Sequence, residues 1–319
     1  MTARGRQWLE ALPFLLPNLI GFLIFTAGPV VFSAAASLTN WSLTKPGSVS
    51  FVGLANYADI LTNKSFWLYF INTGYFLLGM PISIAGSLWL AVLLNRKMAG
   101  IPVFRTILYL PSFTSGVAIM ILWKALYNPN YGPIGIAIEQ TFAFFGLDVQ
   151  SPNWLLSTQN IFGLTPEKLG FSASQFGLGA RDALIFMGIW TAIGGNTMLL
   201  YLAALTNVPE ELTEAAQLDG AAKWAVFRNV TWPQLAPTTF FVVIMGVIGG
   251  LQGGFEQARV MTAGGPAGST TTIAYYIYSK AFEEFQMGYA SAIAWMLFGI
   301  VAVWTAVYWR FGNRETSYL

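Results

Sequence analysis

The 319-residue chain is 55% hydrophobic and 9% charged, with a formal net charge of +2 at pH 7. Soluble domains carry roughly 25% charged residues, so this composition indicates a protein whose main surroundings are lipid. The small net charge and the scattered Lys and Arg residues exclude a nucleic-acid-binding surface, which needs a basic patch.

The chain contains no Cys and no His. It therefore has no disulfides, no thiolate or imidazole metal ligands, no cysteine nucleophile and no histidine general base. It also has no G-x-x-x-x-G-K-[ST] phosphate-binding loop, so any nucleotide energy that the protein uses must come from a partner chain. We predict a protein that is not an enzyme and that binds no cofactor or metal of its own.

Six stretches are each long and apolar enough to cross about 30 Å of hydrocarbon as a helix. They cover residues 11–38, 66–94, 106–127, 183–205, 236–255 and 288–309. We therefore predict an all-α, polytopic membrane protein with a single transmembrane domain over residues 1–319. The first stretch is about twice as long as the apolar region of a signal peptide, so we interpret it as a span and not as a cleaved signal.

Six spans put both termini on the same side of the membrane. Lys and Arg are denser in the N-terminus, the second and fourth loops and the tail than in the longer loops between them. The positive-inside rule therefore predicts cytoplasmic termini, a cytoplasmic loop at residues 206–235 and an external insertion at residues 128–182. In this insertion Trp154 is a candidate anchor at the membrane interface. Arg181 and Asp182 lie near a span end, where snorkelling explains charged side chains.

The loop of residues 206–235 reads TNVPEELTEAAQLDGAAKWAVFRNVTWPQL, with four acids between positions 210 and 219. Asn207 stands three residues before Glu210, a spacing typical of a capping box, so a helix is predicted to begin there. Gly220 is predicted to end it in the left-handed conformation. A second short helix is predicted over residues 221–229, with one apolar stripe: Trp224, Phe227 and Val230. A connector that merely lies in the membrane interface would have the same pattern.

The residue order within this loop is more specific. E-A-A, three residues, G, and a Pro about a dozen residues later resembles the cytoplasmic loop of membrane subunits of binding-protein-dependent ABC importers. The matching residues are Glu214, Ala215, Ala216, Asp219, Gly220, Ala221, Phe227 and Pro233. Longer stretches are similar to the carbohydrate permeases of maltose and glycerol-3-phosphate type: GLANYADIL (53–61), NTGYF (72–76), RTILYLPSFTSGVAIMILWKALY (105–127), MTAGGPAGST (261–270) and GYASAIAWMLF (288–298). Trp232 and the segment 165–179 depart from the family pattern.

The resemblance implies an ABC importer type I permease fold in a bacterial cytoplasmic (inner) membrane, with lipid around it and cytoplasmic coupling helices. It also implies four kinds of partner: a second permease subunit, two ATP-binding subunits that hold ATP and Mg²⁺, a periplasmic or lipid-anchored solute-binding protein, and a carbohydrate. The loop would dock on an ATPase through Glu214, Ala215, Ala216, Asp219, Gly220, Ala221 and Phe227. Small alanines allow close approach, and the carboxylates of the loop can accept charge-assisted hydrogen bonds.

Five glycines of the fifth span share one helix face: Gly246, Gly249, Gly250, Gly253 and Gly254. They indicate either close helix packing or space for a solute, and the sequence leaves both interpretations open. Polar groups deep in a membrane are costly, so those that face the bundle interior are candidates for the path. The predicted substrate-path residues are Asn196, Gln252, Gly253, Gly254, Glu256, Tyr75 and Trp190.

Two other classes of membrane protein are alternatives. A secondary transporter of small solutes, acting without an ATPase, usually has buried acids or histidines and repeated halves, and the sequence has neither feature. A membrane-embedded enzyme needs a catalytic cluster at the interface, and few acids lie within the spans. The predicted function is therefore the membrane-spanning subunit of an ATP-driven carbohydrate importer, with the secondary transporter as the alternative.

Overall fold

The computed structural model describes residues 3–44, 47–96, 100–165, 170–171 and 176–316, and this part of the chain is mostly helical. Its helices are α1 (Ala3–Phe22), α2 (Gly28–Ser37), α3 (Ala55–Thr62), α4 (Lys64–Phe76), α5 (Gly79–Leu94), α6 (Ile101–Phe113), α7 (Gly116–Leu126), α8 (Pro133–Phe144), α9 (Ala180–Ile193), α10 (Asn196–Thr206), α11 (Glu210–Leu218), α12 (Lys223–Val226), α13 (Trp232–Gln234), α14 (Ala236–Gln252), α15 (Phe255–Gln257), α16 (Ile273–Tyr278) and α17 (Met287–Thr316). Single π-helical turns continue several of them, at Leu23–Ala27, Phe227–Thr231, Ala258–Thr262 and Ser279–Glu283.

Four continuous segments of the described chain are long and apolar enough to cross a membrane. They are Leu12–Ser37, Lys64–Leu94, Ala180–Thr206 and Met287–Arg310. Two further pairs of helices pass the same criteria together but are sharply bent, at Ile101–Phe113 with Gly116–Leu126 and at Lys223–Gln234 with Ala236–Gln252. Counting each bent pair as one span gives six, which is the predicted number.

The bend between α6 and α7 and the end of α14 each have a local cause in the backbone. Between α6 and α7, which meet at 93°, Thr114 is extended with a ψ of 139°, so the predicted span of residues 106–127 is divided between two helices. Helix α14 ends at Gln252, three residues earlier than predicted. Gly253 is extended there and Gly254 is left-handed with a φ of +82°, a conformation that glycine adopts without steric cost.

The chain forms two compact units. The first comprises residues 1–63 and 276–298. In this unit the Asn56 side chain donates hydrogen bonds to the carbonyl oxygens of Ser37 and Thr39, at 2.8 and 2.9 Å, and so fixes α3 at the end of α2. Trp295 of α17 donates its indole N–H to the hydroxyl of Ser33, at 3.1 Å.

The second unit comprises residues 64–275 and 299–319 and contains two large apolar clusters. The first cluster joins α5, α6, α10 and the start of α14 through Leu88, Ala91, Leu94, Ile101, Met198, Tyr201, Leu202, Leu205 and Leu235. The second joins α7, α9 and the chain beyond α8 through Ile119, Met120, Trp123, Tyr127, Trp154, Ala183, Leu184, Met187 and Met261. Helices α5 and α9 approach closely because Gly86 leaves room for Ile193, which would lie 2.7 Å from a Cβ at that glycine.

The insertion of residues 128–182 contains α8 and a short antiparallel hairpin of β1 (Leu164–Thr165) and β2 (Gly170–Phe171). Residues 166–169 and 172–175 of the segment without a family counterpart lie outside the described residues. Trp154 is only 8% exposed, with its ring 5.3 Å from that of Tyr127. The prediction that Trp154 anchors the membrane interface is therefore wrong, since the side chain packs in the second apolar cluster.

Candidate functional site: the 206–235 loop and a glycine-lined cavity

The first helix of the 206–235 loop begins where the sequence predicts, but without the predicted cap. Helix α11 starts at Glu210, and its N-cap is Pro209, which has no side chain to accept a hydrogen bond. Asn207 instead ends α10, where its N–H bonds to the carbonyl oxygens of Ala204 and Leu205. The predicted capping box is therefore wrong. Glu210 and Glu211 occupy the first turn, where their negative charges interact favourably with the positive end of the helix dipole.

The end of α11 is a Schellman motif, which fixes the chain direction. Gly220 is left-handed with a φ of +81°, as predicted. Its N–H bonds to the Gln217 carbonyl oxygen at 3.0 Å, and the N–H of Ala221 bonds to the Ala216 carbonyl oxygen at 3.0 Å. These two bonds satisfy carbonyl groups that would otherwise lack a partner at the helix end. The loop therefore has a defined elbow at Gly220.

Helix α11 presents its surface outward, because none of its residues is buried in this chain. Glu214, Ala215 and Asp219 of the predicted docking set are all exposed. At its end Leu218 is 89% exposed, although Leu is among the residue types most often buried. A short helix with exposed acids and an exposed leucine is suited to covering by a partner protein.

The second arm of the loop turns inward. It begins at Lys223, two residues later than predicted, and continues through the π-helical turn Phe227–Thr231 to Gln234. Val226 is buried, and Phe227 packs against the first apolar cluster. Trp224 is 69% exposed and stacks on the Phe227 ring at 5.5 Å. The two aromatic residues of the predicted apolar stripe therefore differ in burial: the Phe227 ring packs inward and the Trp224 ring is exposed.

Val226 was not predicted as part of this contact. Its signal in the sequence is the spacing of Val226, Phe227 and Val230, which places three apolar side chains on one helical face. The elbow at Gly220 thus leads from an exposed helix to an anchored one.

A cavity of about 640 Å³ lies within the second unit, with walls from α4, α5, α9, α10 and α14. All five glycines of the predicted face line it. A Cβ on Gly246 would lie 2.7 Å from the sulfur of Met80, and one on Gly250 would overlap the end of Leu77. A Cβ on Gly249, in contrast, would meet no atom within 4 Å. Close packing therefore accounts for Gly246 and Gly250, while Gly249 opens onto space.

The predicted substrate-path residues separate into two groups. Asn196, Gly253 and Gly254 line the cavity. The carbonyl oxygen of the Asn196 side chain accepts a hydrogen bond from the Tyr109 hydroxyl at 2.6 Å. The structure places the other four elsewhere: Gln252, Glu256, Tyr75 and Trp190. The Trp190 ring lies 5.6 Å from that of Trp123 and is 47% exposed.

Tyr75 belongs to a buried polar network instead of the cavity. Its hydroxyl donates to Oδ1 of Asp182 at 2.7 Å, and its ring lies 5.6 Å from the guanidinium of Arg181. Arg181 and Asp182 are 4% and 6% exposed, so the prediction that they snorkel at a span end is wrong. The Arg181 Nε–H donates to the Ser269 carbonyl oxygen at 3.0 Å.

Sequence reasoning missed several side chains that do line the cavity. Thr197 and Gln257 are polar, and Phe76 and Phe241 supply the aromatic surface that was predicted from Tyr75 and Trp190. Gln257 could not be found by extending the α14 periodicity, because the break at Gly253 and Gly254 changes the direction of the chain.

This bent-helix fold, the outward elbow and the cavity are features expected of a membrane-transport subunit. The chain belongs to the family described as "binding-protein-dependent transport system inner membrane component", whose model matches residues 83–312. It is 32% identical over 316 residues to a probable ABC transporter permease protein of Bacillus subtilis (strain 168), covering 97% of this chain and 92% of that one. It is 30% identical over 301 residues to a trehalose/maltose transport system permease protein of Thermococcus litoralis, covering 94% and 92%.

A third relative is the sn-glycerol-3-phosphate transport system permease protein of Pectobacterium atrosepticum, 28% identical over 320 residues, covering 98% of this chain and 96% of the relative. Among solved structures, the fold is similar to a chain of a bacterial alginate ABC transporter in complex with an alginate pentasaccharide-bound periplasmic protein. The TM-score is 0.76 and the identity 23%, covering 98% of this chain and 96% of that chain.

These findings confirm the predicted family and fold class. The chain is a multi-pass inner-membrane permease component of an ABC transport system that depends on a solute-binding protein.

Proposed function

We propose that this chain forms, together with a second permease subunit, the translocation path of an importer for a sugar or oligosaccharide. Relatives named for multiple sugars, arabinooligosaccharides and trehalose/maltose, each 30% or 31% identical to this chain, support a carbohydrate substrate. The structural observation that supports ATP-driven import is the outward face of α11, with its exposed acids and Leu218, next to the fixed elbow at Gly220. An external solute-binding protein delivers the carbohydrate.

In this proposal α11 is the coupling helix. Two partner ATPases bind ATP and Mg²⁺ in the cytoplasm, grip α11 and move it as a rigid body when they close. This chain has no ATPase site, and its termini and the 206–235 loop lie on the cytoplasmic side. The acids of α11 accept charge-assisted hydrogen bonds from a basic cleft of the ATPase.

The movement reaches the cavity through packed side chains. Phe227 packs on the first apolar cluster, which includes Tyr201 of α10 and Leu235 at the start of α14. The Tyr201 hydroxyl also hydrogen-bonds the Thr239 hydroxyl at 3.1 Å, joining α10 to α14. A shift of the loop therefore moves both α10 and α14, which carry Asn196 and the glycines that line the cavity. In this proposal the cavity walls adopt two arrangements, inward-facing and outward-facing, and alternating access is the change between them.

The test is reversal of charge at Glu214 in the complete transporter, expressed with its own partner subunits. We expect Glu214→Lys to reduce co-purification of the ATPase subunits and ATP-dependent sugar uptake, because the variant puts a cation against a basic cleft. Asp148→Lys is the matched control, since Asp148 is exposed in the external insertion. Normal assembly and uptake of the Glu214→Lys variant would overturn the coupling role.

The secondary-transporter alternative predicts a different result. Uptake by this purified chain alone, reconstituted in liposomes without ATP, would support that alternative. The proposal predicts no such uptake, because the chain supplies only part of the path and none of the energy.

A further inference from the structure

The electrostatic character of the cavity in the second unit follows from its lining residues. Among the described residues, no Asp, Glu, Lys or Arg lines it. Its walls are apolar side chains, glycines and a few neutral polar groups, which include Asn196, Thr197 and Gln257.

These three residues have hydrogen-bonding groups to offer a solute. The Asn196 carbonyl oxygen is occupied by Tyr109 at 2.6 Å, but no hydrogen bond among the described residues uses its Nδ2 group. Likewise, no described hydrogen bond uses the side chain of Thr197 or Gln257. Amides and hydroxyls both donate and accept, so they match sugar hydroxyl groups without requiring a charge.

The charged residues nearest in sequence to the cavity walls face elsewhere. Arg181 and Asp182 are buried in the network with Tyr75 and Ser269. A carboxylate oxygen of Glu256 lies beside Gly116 of α7, within 3.2 Å of where a Cβ would stand. The guanidinium of Arg259 lies 5.8 Å from the centre of the Phe255 ring. None of these four charged side chains lines the cavity.

We propose that the solute that passes along this cavity is uncharged, a neutral saccharide or polyol, and not a uronate or a sugar phosphate. An ionised group loses its hydration when it enters a site of this kind, and the described residues of this chain's wall supply no opposite charge or charge-assisted hydrogen bond to replace that hydration. A hydroxyl group, in contrast, exchanges water for the amide and hydroxyl groups of the wall. Family membership leaves this question open, because its members are named for both neutral and ionised solutes.

This inference rests on the proposed import of a carbohydrate, and the test separates the two. The complete transporter with its binding protein is reconstituted in proteoliposomes. ATP-dependent uptake is measured with maltose, trehalose and an arabinooligosaccharide, and with sn-glycerol 3-phosphate and an alginate oligosaccharide at equal concentration. Uptake confined to the neutral sugars supports the inference. Uptake of the ionised compounds overturns it and leaves the proposed carbohydrate import standing, whereas failure to take up any carbohydrate, neutral or ionised, overturns both.

A pair of variants tests the wall of this chain apart from the choice made by the binding protein. Gln257→Glu and Gln257→Lys place opposite charges in the cavity. For a neutral solute we expect the two variants to change the KM and maximal rate of uptake in the same direction. For an ionised solute the two changes would have opposite signs, each about tenfold or more, because a charge at this position attracts or repels the solute.

Gln150→Glu and Gln150→Lys are the matched controls, since Gln150 is exposed in the insertion of residues 128–182, outside the membrane-spanning segments, and does not line the cavity. These two variants should leave uptake within about twofold of the parent, as surface substitutions usually do. Opposite signs at position 257, with unchanged uptake at position 150, would overturn the inference.

Discussion

The Tyr75 hydroxyl donates a hydrogen bond to Oδ1 of Asp182 across 2.7 Å and so joins α4 to the first turn of α9. The other carboxylate oxygen of Asp182 accepts the backbone N–H groups of Ile161 and Gly179, at 3.2 and 3.3 Å. One buried carboxylate therefore holds together two helices and the end of the 128–182 insertion. The adjacent Arg181 extends the network to the carbonyl oxygen of Ser269, in the loop that follows Thr262.

Replacing Tyr75 with Phe should destabilise the protein. The variant removes one donor from a buried carboxylate, and an unsatisfied buried polar group costs about 1–3 kcal/mol. We expect a lower thermal unfolding midpoint for the purified transporter in detergent. Tyr131→Phe is the control, because Tyr131 is 66% exposed. Equal midpoints for the two variants would show that the Tyr75 hydrogen bond contributes nothing to stability.

The elbow at Gly220 should tolerate substitutions in the order Asn, Ala, Val. A Cβ there would meet no atom within 4 Å, so the cost is conformational only. The left-handed conformation is about 1–2 kcal/mol unfavourable for a residue with a side chain. This conformational penalty is smallest for Asn and largest for a β-branched residue. We expect ATP-dependent uptake and co-purification of the ATPases to fall in that order. A Gly220→Val variant as active as Gly220→Asn would contradict the proposed rigid elbow.

The features that the sequence predicts well are those decided within a few residues. Gly220 is an example, because the end of a helix needs a left-handed residue and the sequence offers one glycine at that place. The predicted Asn207 cap is wrong although it also rests on a local signal. Helix α10 continues to Thr206, and Asn207 ends that helix instead of beginning α11. Two local signals competed at that point, and the tertiary packing of α10 decided between them.

The features that the sequence does not predict depend on distant contacts or on chain direction. Tyr75 and Asp182 are 107 residues apart, and neither position has a local pattern that indicates the other. Gln252 and Gln257 have the same side chain, but only Gln257 lines the cavity, because the chain turns at Gly253 and Gly254 between them. Composition and periodicity do not report such a turn.

The two stacked aromatic rings of the loop should have separable roles. Phe227 is half-buried on the first apolar cluster, so Phe227→Ala should lower stability by about 1–3 kcal/mol. Trp224 is exposed, and Trp224→Ala should change stability by no more than about 0.5 kcal/mol. If the ATPase covers this surface, the Trp224 variant should nevertheless retain fewer ATPase subunits. Thermal unfolding and co-purification from the same preparations measure the two effects. Loss of stability in the Trp224 variant would contradict this division.

Adjacent glycines of α14 should respond differently to the same substitution. Gly250→Leu forces a side chain into the space of Leu77, and overpacking of this kind typically costs about 1–3 kcal/mol, so we expect poor assembly. Gly249→Leu points into the open cavity, so the transporter should assemble normally but take up less solute. Size-exclusion chromatography of the complex and ATP-dependent uptake in proteoliposomes distinguish the two outcomes. If both variants failed to assemble, the space beside Gly249 would be required for packing against a neighbouring helix and not for passage of the solute.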